Sequence, residues 1–422
     1  MERIALLFPG QGSQYMGMSK NVYKQYDIVQ RTFEEASDTL GFNLPKLCFE
    51  GSLADLGKTQ NALVALLTVG VSYFRIYMSE IGVKPQFCAG HSLGEYSALT
   101  CSGAIPFSDA LKLVNIRSKI AQDFANRVNG AMTIIDGLDC NLVAEECKRI
   151  SNDNQFAAIS CYNSPEQVAI SGHLQAVQKV EDKVLELGGR ITPLIDNPPF
   201  HSPIMHQAAE QFKYEVKEYS FHALRYPVIA NVTASPYLGP EQIEDMLTEH
   251  MIRPVQWQSI MNYFHKYRIT MTIELGPKNV LTTLIKQNYE EINALSFDQI
   301  DDRQALIEFF TNNQVYKNHI PTVITKCLAI AASTPNNNFN NDEYSRGVVE
   351  PFRKIRSIQD EIEKQGNKPS TEQMRMALEL LHLILNTKKV SVTKQQEWYD
   401  EILEETGTCY LFHDLNLDPA SK

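Results

Sequence analysis

Apolar runs and polar breaks divide the chain into three stretches of different rhythm. The first opens with Ile4-Ala5-Leu6-Leu7-Phe8, a continuous apolar run that ends in Pro9-Gly10-Gln11-Gly12. A short run of this kind, closed by turn residues, predicts a buried strand leaving into a glycine-rich turn. Phe87-Cys88-Ala89-Gly90 repeats the pattern and is followed at once by His91-Ser92-Leu93-Gly94-Glu95 and an apolar-periodic segment. Strand, tight turn and helix are expected there. Residues 62–74 form the longest apolar stretch, interrupted by Thr68, Gly70 and Ser72 and ended by Arg75, which predicts a buried core helix and not a membrane span. Ser108-Asp109 is expected to cap a long helix reaching about Asn126, with Arg117 in its middle.

The second stretch, 131–198, predicts a strand at 131–138 and a helix at 141–150. Paired strands follow at 156–162 and 167–171, around the turn Asn163-Ser164-Pro165-Glu166. A helix at 174–187, Gly188-Gly189 and a strand at 190–195 complete it. The order βαββαβ is the split pattern of a ferredoxin-like subdomain. It interrupts a larger α/β domain made of 1–130 and 199–298, whose return segment carries strands at 227–232 and 271–275. From 299 to 422 the character changes. The asparagine-rich run 336–342 reads as loop or disorder, and helices are expected at 348–364, 371–386 and 393–405. Gly366-Asn367-Lys368-Pro369-Ser370 separates the first two of these helices. The stripe of Leu378, Leu381, Ile384 and Leu385 is expected to pack against the preceding domain, or else to form a docking surface for a partner.

Composition changes this picture little. With 43% hydrophobic and 21% charged residues the chain is ordinary for a soluble globular protein. The net charge of −11 disfavours nucleic acid as a partner, and an acidic protein partner would need a local basic patch. Eight scattered cysteines without a CxxC pair fit reduced thiols in the cytoplasm, and neither a disulfide framework nor a metal site is expected. The apolar run after Met1-Glu2-Arg3 is too short for a signal peptide, and no membrane association is expected.

Gly90-His91-Ser92-Leu93-Gly94 has the form GxSxG. At a strand-to-helix elbow the two glycines permit a turn that a Cβ would obstruct, the serine oxygen is exposed, and the amide of Leu93 faces a developing oxyanion. The same five residues are also compatible with a plain glycine–serine turn. A serine needs a base within hydrogen-bond reach. His201, in the proline-rich loop Pro198-Pro199-Phe200-His201-Ser202-Pro203, is the most rigidly held of the ten histidines. No acid has an obvious place as third member, so a backbone carbonyl orienting the imidazole in a dyad is the expectation.

Several ordered motifs carry a resemblance. Phe8-Pro9-Gly10-Gln11-Gly12-Ser13-Gln14, Gly90 to Ala98, Arg117, Asn163 to Gly172, Phe200-His201-Ser202, Pro254-Val255-Gln256-Trp257 and Glu274-Leu275-Gly276-Pro277 follow one another in family order. Over about 1–298 they resemble the malonyl-CoA:acyl carrier protein transacylases and the acyltransferase domains of polyketide synthases. The resemblance implies an α/β-hydrolase-like domain with an inserted ferredoxin-like subdomain, followed here by a mostly helical C-terminal extension. It implies Ser92 as nucleophile, His201 as base and acid, and the amides of Gln11 and Leu93 as oxyanion hole. It further implies that Arg117 pairs with the free carboxylate of a malonyl-type group, that Gln60, His91, Asn163, Phe200 and Ala121 border the substrate, and that the carbonyl of His250 orients His201. Without the resemblance, Arg117 is a plain helix arginine. The resemblance implies no permanently held cofactor, and as substrates malonyl-CoA or an acyl carrier protein bearing phosphopantetheine, within polyketide or hybrid peptide biosynthesis. Other synthase domains are expected partners of the extension.

Two departures from the family pattern bear on substrate choice. Ala121 replaces a longer side chain at the acyl pocket, and Pro199 replaces a small residue, while Phe200 resembles the malonyl-selective pattern. A hydroxy- or aminomalonyl unit delivered by a carrier protein is therefore an alternative donor. An acyl hydrolase on the same fold and a non-catalytic docking module are the other readings.

Overall fold

A computed structural model of the chain describes residues 2–152, 154–195, 197–313, 321–365, 368–408 and 411–412. These residues form two compact units, one of 1–74 with 84–305 and one of 75–83 with 306–422.

In the first unit, Ile4–Phe8 (β1) is fully buried and lies at the centre of a five-stranded sheet. Phe87–Gly90 (β2) and Met271–Glu274 (β8) flank it, with Val228–Ile229 (β7) and Asn293–Ser296 (β9) at the edges. Every pairing is parallel, with Leu7 opposite Ala89 on one side and Glu274 on the other. A parallel sheet is covered on both faces, which is why its central strand is an unbroken apolar run. The strand expected at 227–232 pairs over only two residues, and Asn293–Ser296 has too little apolar character to announce itself.

A second sheet is antiparallel and four-stranded, in the order β4-β5-β3-β6, from Gly130–Asp136 (β3), Ala157–Ser164 (β4), Gln167–His173 (β5) and Arg190–Pro193 (β6). The helices Cys140–Ile150 and Leu174–Glu186 complete the βαββαβ order, and Ile135, Val143, Val168, Ile170, Val177 and Val180 share their core. The ferredoxin-like expectation is met, with element ends shifted by a few residues. Thr59–Glu80 is long and apolar enough to cross a membrane, yet 89% of its apolar window is buried inside the protein. The helix carrying Arg117 runs Phe107–Val128 and starts on Pro106, so Ser108 and Asp109 lie inside its first turn and do not cap it.

The second unit has a core of its own. Leu378, Leu381, Ile384 and Leu385 on helix Thr371–Thr387 pack with Val323, Ile324 and Cys327 of helix Val323–Ser333, with Ile355, and with Tyr399 and Ile402. This corrects the expectation that the stripe packs against the preceding domain. The helices of the extension supply one another's apolar faces. The asparagine-rich run is ordered by its own side chains. Asn336 and Asn338 exchange hydrogen bonds, and Asn340 caps the short helix Asn341–Tyr344. The expected break at Gly366-Asn367 lies outside the described residues, while Ser370 caps the next helix with a full capping box.

Candidate active site

The GxSxG elbow forms where β2 ends and the helix Gly94–Cys101 begins. Both glycines are required by close approach. A Cβ on Gly90 would lie 1.8 Å from the backbone carbon of Gly94, and one on Gly94 would lie 1.9 Å from the Phe8 carbonyl oxygen. Ser92 between them has φ of 52°, in the left-handed region that costs an L-residue energy and persists only where surroundings enforce it.

His201 sits on the loop after the ferredoxin-like subdomain, 1% exposed, and also has a positive φ, 63°. Its Nε2 lies 2.7 Å from Ser92 Oγ, and its Nδ1 lies 2.6 Å from the carbonyl oxygen of His250. Nδ1–H donates to that carbonyl, which leaves the Nε2 lone pair facing the serine hydroxyl. Burial pushes the imidazole down to about 3, with the neighbouring Arg117 charge adding to the effect. The resting ring is neutral and able to take a proton.

The residues read from sequence fall into two groups. One surrounds the dyad. Arg117 is 1% exposed, and its guanidinium carbon stacks 4.1 Å from the centre of the Phe200 ring and 5.5 Å from that of Tyr96. Its Nε and Nη2 have no hydrogen-bond partner among the described residues. Ala121, fully buried, is one helical turn beyond it on the same helix face. His91 bonds through Nε2 to Asn163 Oδ1 at 2.8 Å, and Asn163 donates to Gln167, which donates to Asp136. Gly94, Glu95 and Tyr96 give their amides to the carbonyls of His91, Ser92 and Leu93, whereas the Leu93 amide has no hydrogen-bond partner among the described residues. The Gln11 side chain donates to Asn197 at 2.5 Å, on the loop leading to His201. Gln60 forms the second group by itself. It is exposed, its amide donates to Asn115 at 2.6 Å, and no hydrogen bond joins it to Ser92 or His201 among the described residues.

Three further residues complete the site. Asn231 accepts the Ser92 amide on Oδ1 at 2.8 Å and donates from Nδ2 to the Gly90 carbonyl at 2.6 Å. Glu95 and Tyr237 lie behind it, bonded to each other at 2.6 Å. The one local signal for Asn231 was a polar side chain closing the apolar run Pro227-Val228-Ile229-Ala230, and for Glu95 a lone acid in a helix whose every residue is buried.

A half-buried serine on a strained elbow, a neutral histidine oriented by a carbonyl, and a buried guanidinium with two nitrogens unpaired among the described residues define a serine-dependent acyl-transfer enzyme. The chain belongs to the acyl transferase domain family, which matches residues 5–315, and it is an acyltransferase. A malonyl CoA-acyl carrier protein transacylase of Bacillus subtilis is 36% identical over 395 residues, covering 94% of this chain and 99% of that protein. One from Escherichia coli K12 is 36% identical over 309 residues, 73% of this chain and 100% of that protein. The first of these alignments therefore reaches into the C-terminal unit. Among solved structures, a malonyl-transacylase in complex with its type II polyketide synthase acyl-carrier protein superposes with a TM-score of 0.70 at 34% identity, covering 74% of this chain and 100% of that one. The malonyl CoA-acyl carrier protein transacylase of Coxiella burnetii gives 0.70 at 33% identity, with 73% and 97% covered.

Proposed function

We propose that this enzyme moves a malonyl group from a coenzyme A thioester, through an ester on Ser92, to the phosphopantetheine thiol of an acyl carrier protein. The observation that carries the reading is Arg117. A guanidinium buried on a helix, stacked on Phe200 and lacking partners at Nε and Nη2 among the described residues, is suited to receive a planar anion. A carboxylate offers the two parallel acceptors that such a fork holds. Malonyl thioesters carry a free carboxylate; acetyl thioesters do not.

Ser92 Oγ attacks the thioester carbonyl while His201 Nε2 takes its proton. The carbonyl oxygen becomes an oxyanion held by the amides of Leu93 and Gln11, donors of this kind contributing roughly 3 kcal/mol each. The thiolate of coenzyme A leaves with the proton from His201, and the malonyl ester remains. The carrier's thiol then gives its proton to His201, attacks the ester carbonyl, and Ser92 Oγ recovers the proton as it departs. Burial depresses His201 most and the Arg117 charge adds to it, so a carboxylate bound on Arg117 offsets the smaller cause and raises the basicity of the catalyst.

The acyl carrier protein as acceptor is supported by the solved complex named above, and a role in polyketide or hybrid peptide assembly by the same complex. Seven free cysteines among the described residues fit a cytoplasmic setting. His91, Asn163 and Ala121 are assigned to the walls of the acyl site, whereas Gln60, exposed and bonded to Asn115, is placed at its rim by the family resemblance alone. The test is intact mass spectrometry of the protein after incubation with malonyl-CoA and with acetyl-CoA. A malonyl adduct on Ser92 that transfers to an added carrier supports the proposal. An acetyl adduct of equal or greater yield overturns it, and rapid loss of the malonyl adduct to water favours hydrolysis.

A further inference from the structure

Two residues at this site hold positive φ, Ser92 and His201, and they come from loops 109 residues apart. Strained backbone of this kind has to be held from outside. The holders are Asn231 and His250. Asn231 staples both ends of the elbow, taking the Ser92 amide and donating to the Gly90 carbonyl. His250 supplies the carbonyl that receives His201 Nδ1–H.

Both holders meet at one carboxylate. Glu95, 1% exposed, accepts the Asn231 backbone amide on Oε2 at 3.2 Å. The same oxygen lies 3.6 Å from His250 Nε2, on a ring whose two nitrogens have no hydrogen-bond partner among the described residues. Oε1 accepts the Tyr237 hydroxyl at 2.6 Å, which fixes the carboxylate's rotation. We infer that Glu95 is a positioning residue that brackets the nucleophile's loop and the loop carrying the histidine-orienting carbonyl to a single anchor. One arm runs from Glu95 through Asn231 to Ser92, and the other from Glu95 through His250 to His201. The carboxylate touches neither Ser92 Oγ nor the substrate. Its part is reach and shape: two oxygens at the right distance from three groups. Burial raises Glu95 to about 7 and holds His250 well below its ordinary range, so the His250 arm is a packing contact between a neutral ring and the carboxyl group, while the Asn231 and Tyr237 contacts are hydrogen bonds.

The inference rests on Ser92 and His201 being nucleophile and base, so the test reads serine reactivity without any acyl substrate. The full-length protein is labelled with a fluorophosphonate, and the rate is compared for wild type, Glu95→Gln, Glu95→Asp, Asn231→Ala and the Glu95→Asp/Asn231→Ala double variant. Melting curves count only folded protein. Glu95→Gln keeps reach and shape and is expected to stay within a few-fold of wild type. Glu95→Asp keeps the charge but loses a methylene of reach, and slowing by about 100-fold is expected from misplacement on the ångström scale. The double variant should be no slower than its slower parent, as for two members of one unit. Glu95→Asp at the wild-type rate, Glu95→Gln as slow as Glu95→Asp, or additive losses would each overturn the bracket. If Glu95→Asp does not fold, Tyr237→Phe decides: slowing supports the bracket and a wild-type rate overturns it. Labelling of wild type at a residue other than Ser92 overturns the site reading itself, and the bracket with it.

Discussion

The guanidinium carbon of Arg117 lies over the ring of Phe200, 4.1 Å from its centre, and Phe200 is the residue before His201. The backbone that presents the base is thus packed against a cation whose charge adds to the depression that burial imposes on it. Removing Arg117 should therefore do two things. Malonyl transfer should fall by about 2–5 kcal/mol in transition-state free energy in Arg117→Ala, because a substrate carboxylate is left without its partner. Acetyl transfer should fall far less, so that the ratio of kcat/KM values for the two donors inverts. Equal losses on both donors would show that Arg117 only supports the loop.

The pH dependence of acylation follows from the same contact. His201 in the free enzyme is pushed down to about 3, so its neutral form prevails throughout the range from pH 5 to 9. No rise in labelling rate centred near the ordinary histidine value is expected in wild type. In Arg117→Ala one of the depressing causes is gone, and the apparent value should move upward. A profile measured by stopped-flow labelling between pH 4 and 9 checks this: the variant's rate should fall toward the acid end where wild type stays flat, and profiles equally flat in both are the contrary result.

Ser92→Ala should keep its fold and lose all covalent labelling by malonyl-CoA or by a fluorophosphonate. Intact mass and circular dichroism together read the outcome. An adduct on the alanine variant would place the nucleophile elsewhere.

Stability should respond to pH in opposite senses at two sets of buried groups. His91, His201 and His250 are all depressed, so their contribution is present above the ordinary histidine range and is lost as the unfolded chain takes up protons below it. Glu274 is raised by burial to about 7, although it accepts the amides of Leu281 and Thr282. A raised carboxylate favours the folded state below its unfolded value of 4.5 and loses that advantage as pH climbs to 7. Glu274→Gln cannot ionise. Between pH 6 and pH 8 the wild type should lose on the order of 1–3 kcal/mol more than this variant, by denaturant unfolding at both pH values. Parallel losses in the two proteins would contradict the assignment.

Leu378 is fully buried in the core of the C-terminal unit. Leu378→Ala should cost that unit about 2–5 kcal/mol. Hydrogen exchange in helices Val323–Ser333 and Thr371–Thr387 reads the loss directly. Unchanged protection there would mean that the stripe is not the unit's core.

How far the sequence reached differs by element, for physical reasons. The buried strands β1 and β2, the elbow and the βαββαβ order were legible because each is written in neighbouring residues. An apolar run, two glycines around a serine, and a switch between periods of two and 3.6 are local patterns. Ser92 and its strained turn are of this kind, since the chain needs glycine wherever backbone passes backbone within van der Waals reach. His201 stood out in its proline-rich loop, and resemblance in motif order added Arg117 and the His250 carbonyl. The rest belonged to the tertiary structure. Asn231 reaches the elbow across 139 residues, Glu95 faces Tyr237 across 142, and Asn197 meets Gln11 across 186. Nothing in the spacing of such residues marks them, because a hydrogen bond between loops depends on where two folded elements come to rest. The same is true of the stripe on helix Thr371–Thr387. Its period showed which face is apolar, and only the assembled extension decided that this face meets Ile324 and Tyr399. A hydrophobic face specifies that it will be buried and leaves open what buries it, since the driving force is non-directional.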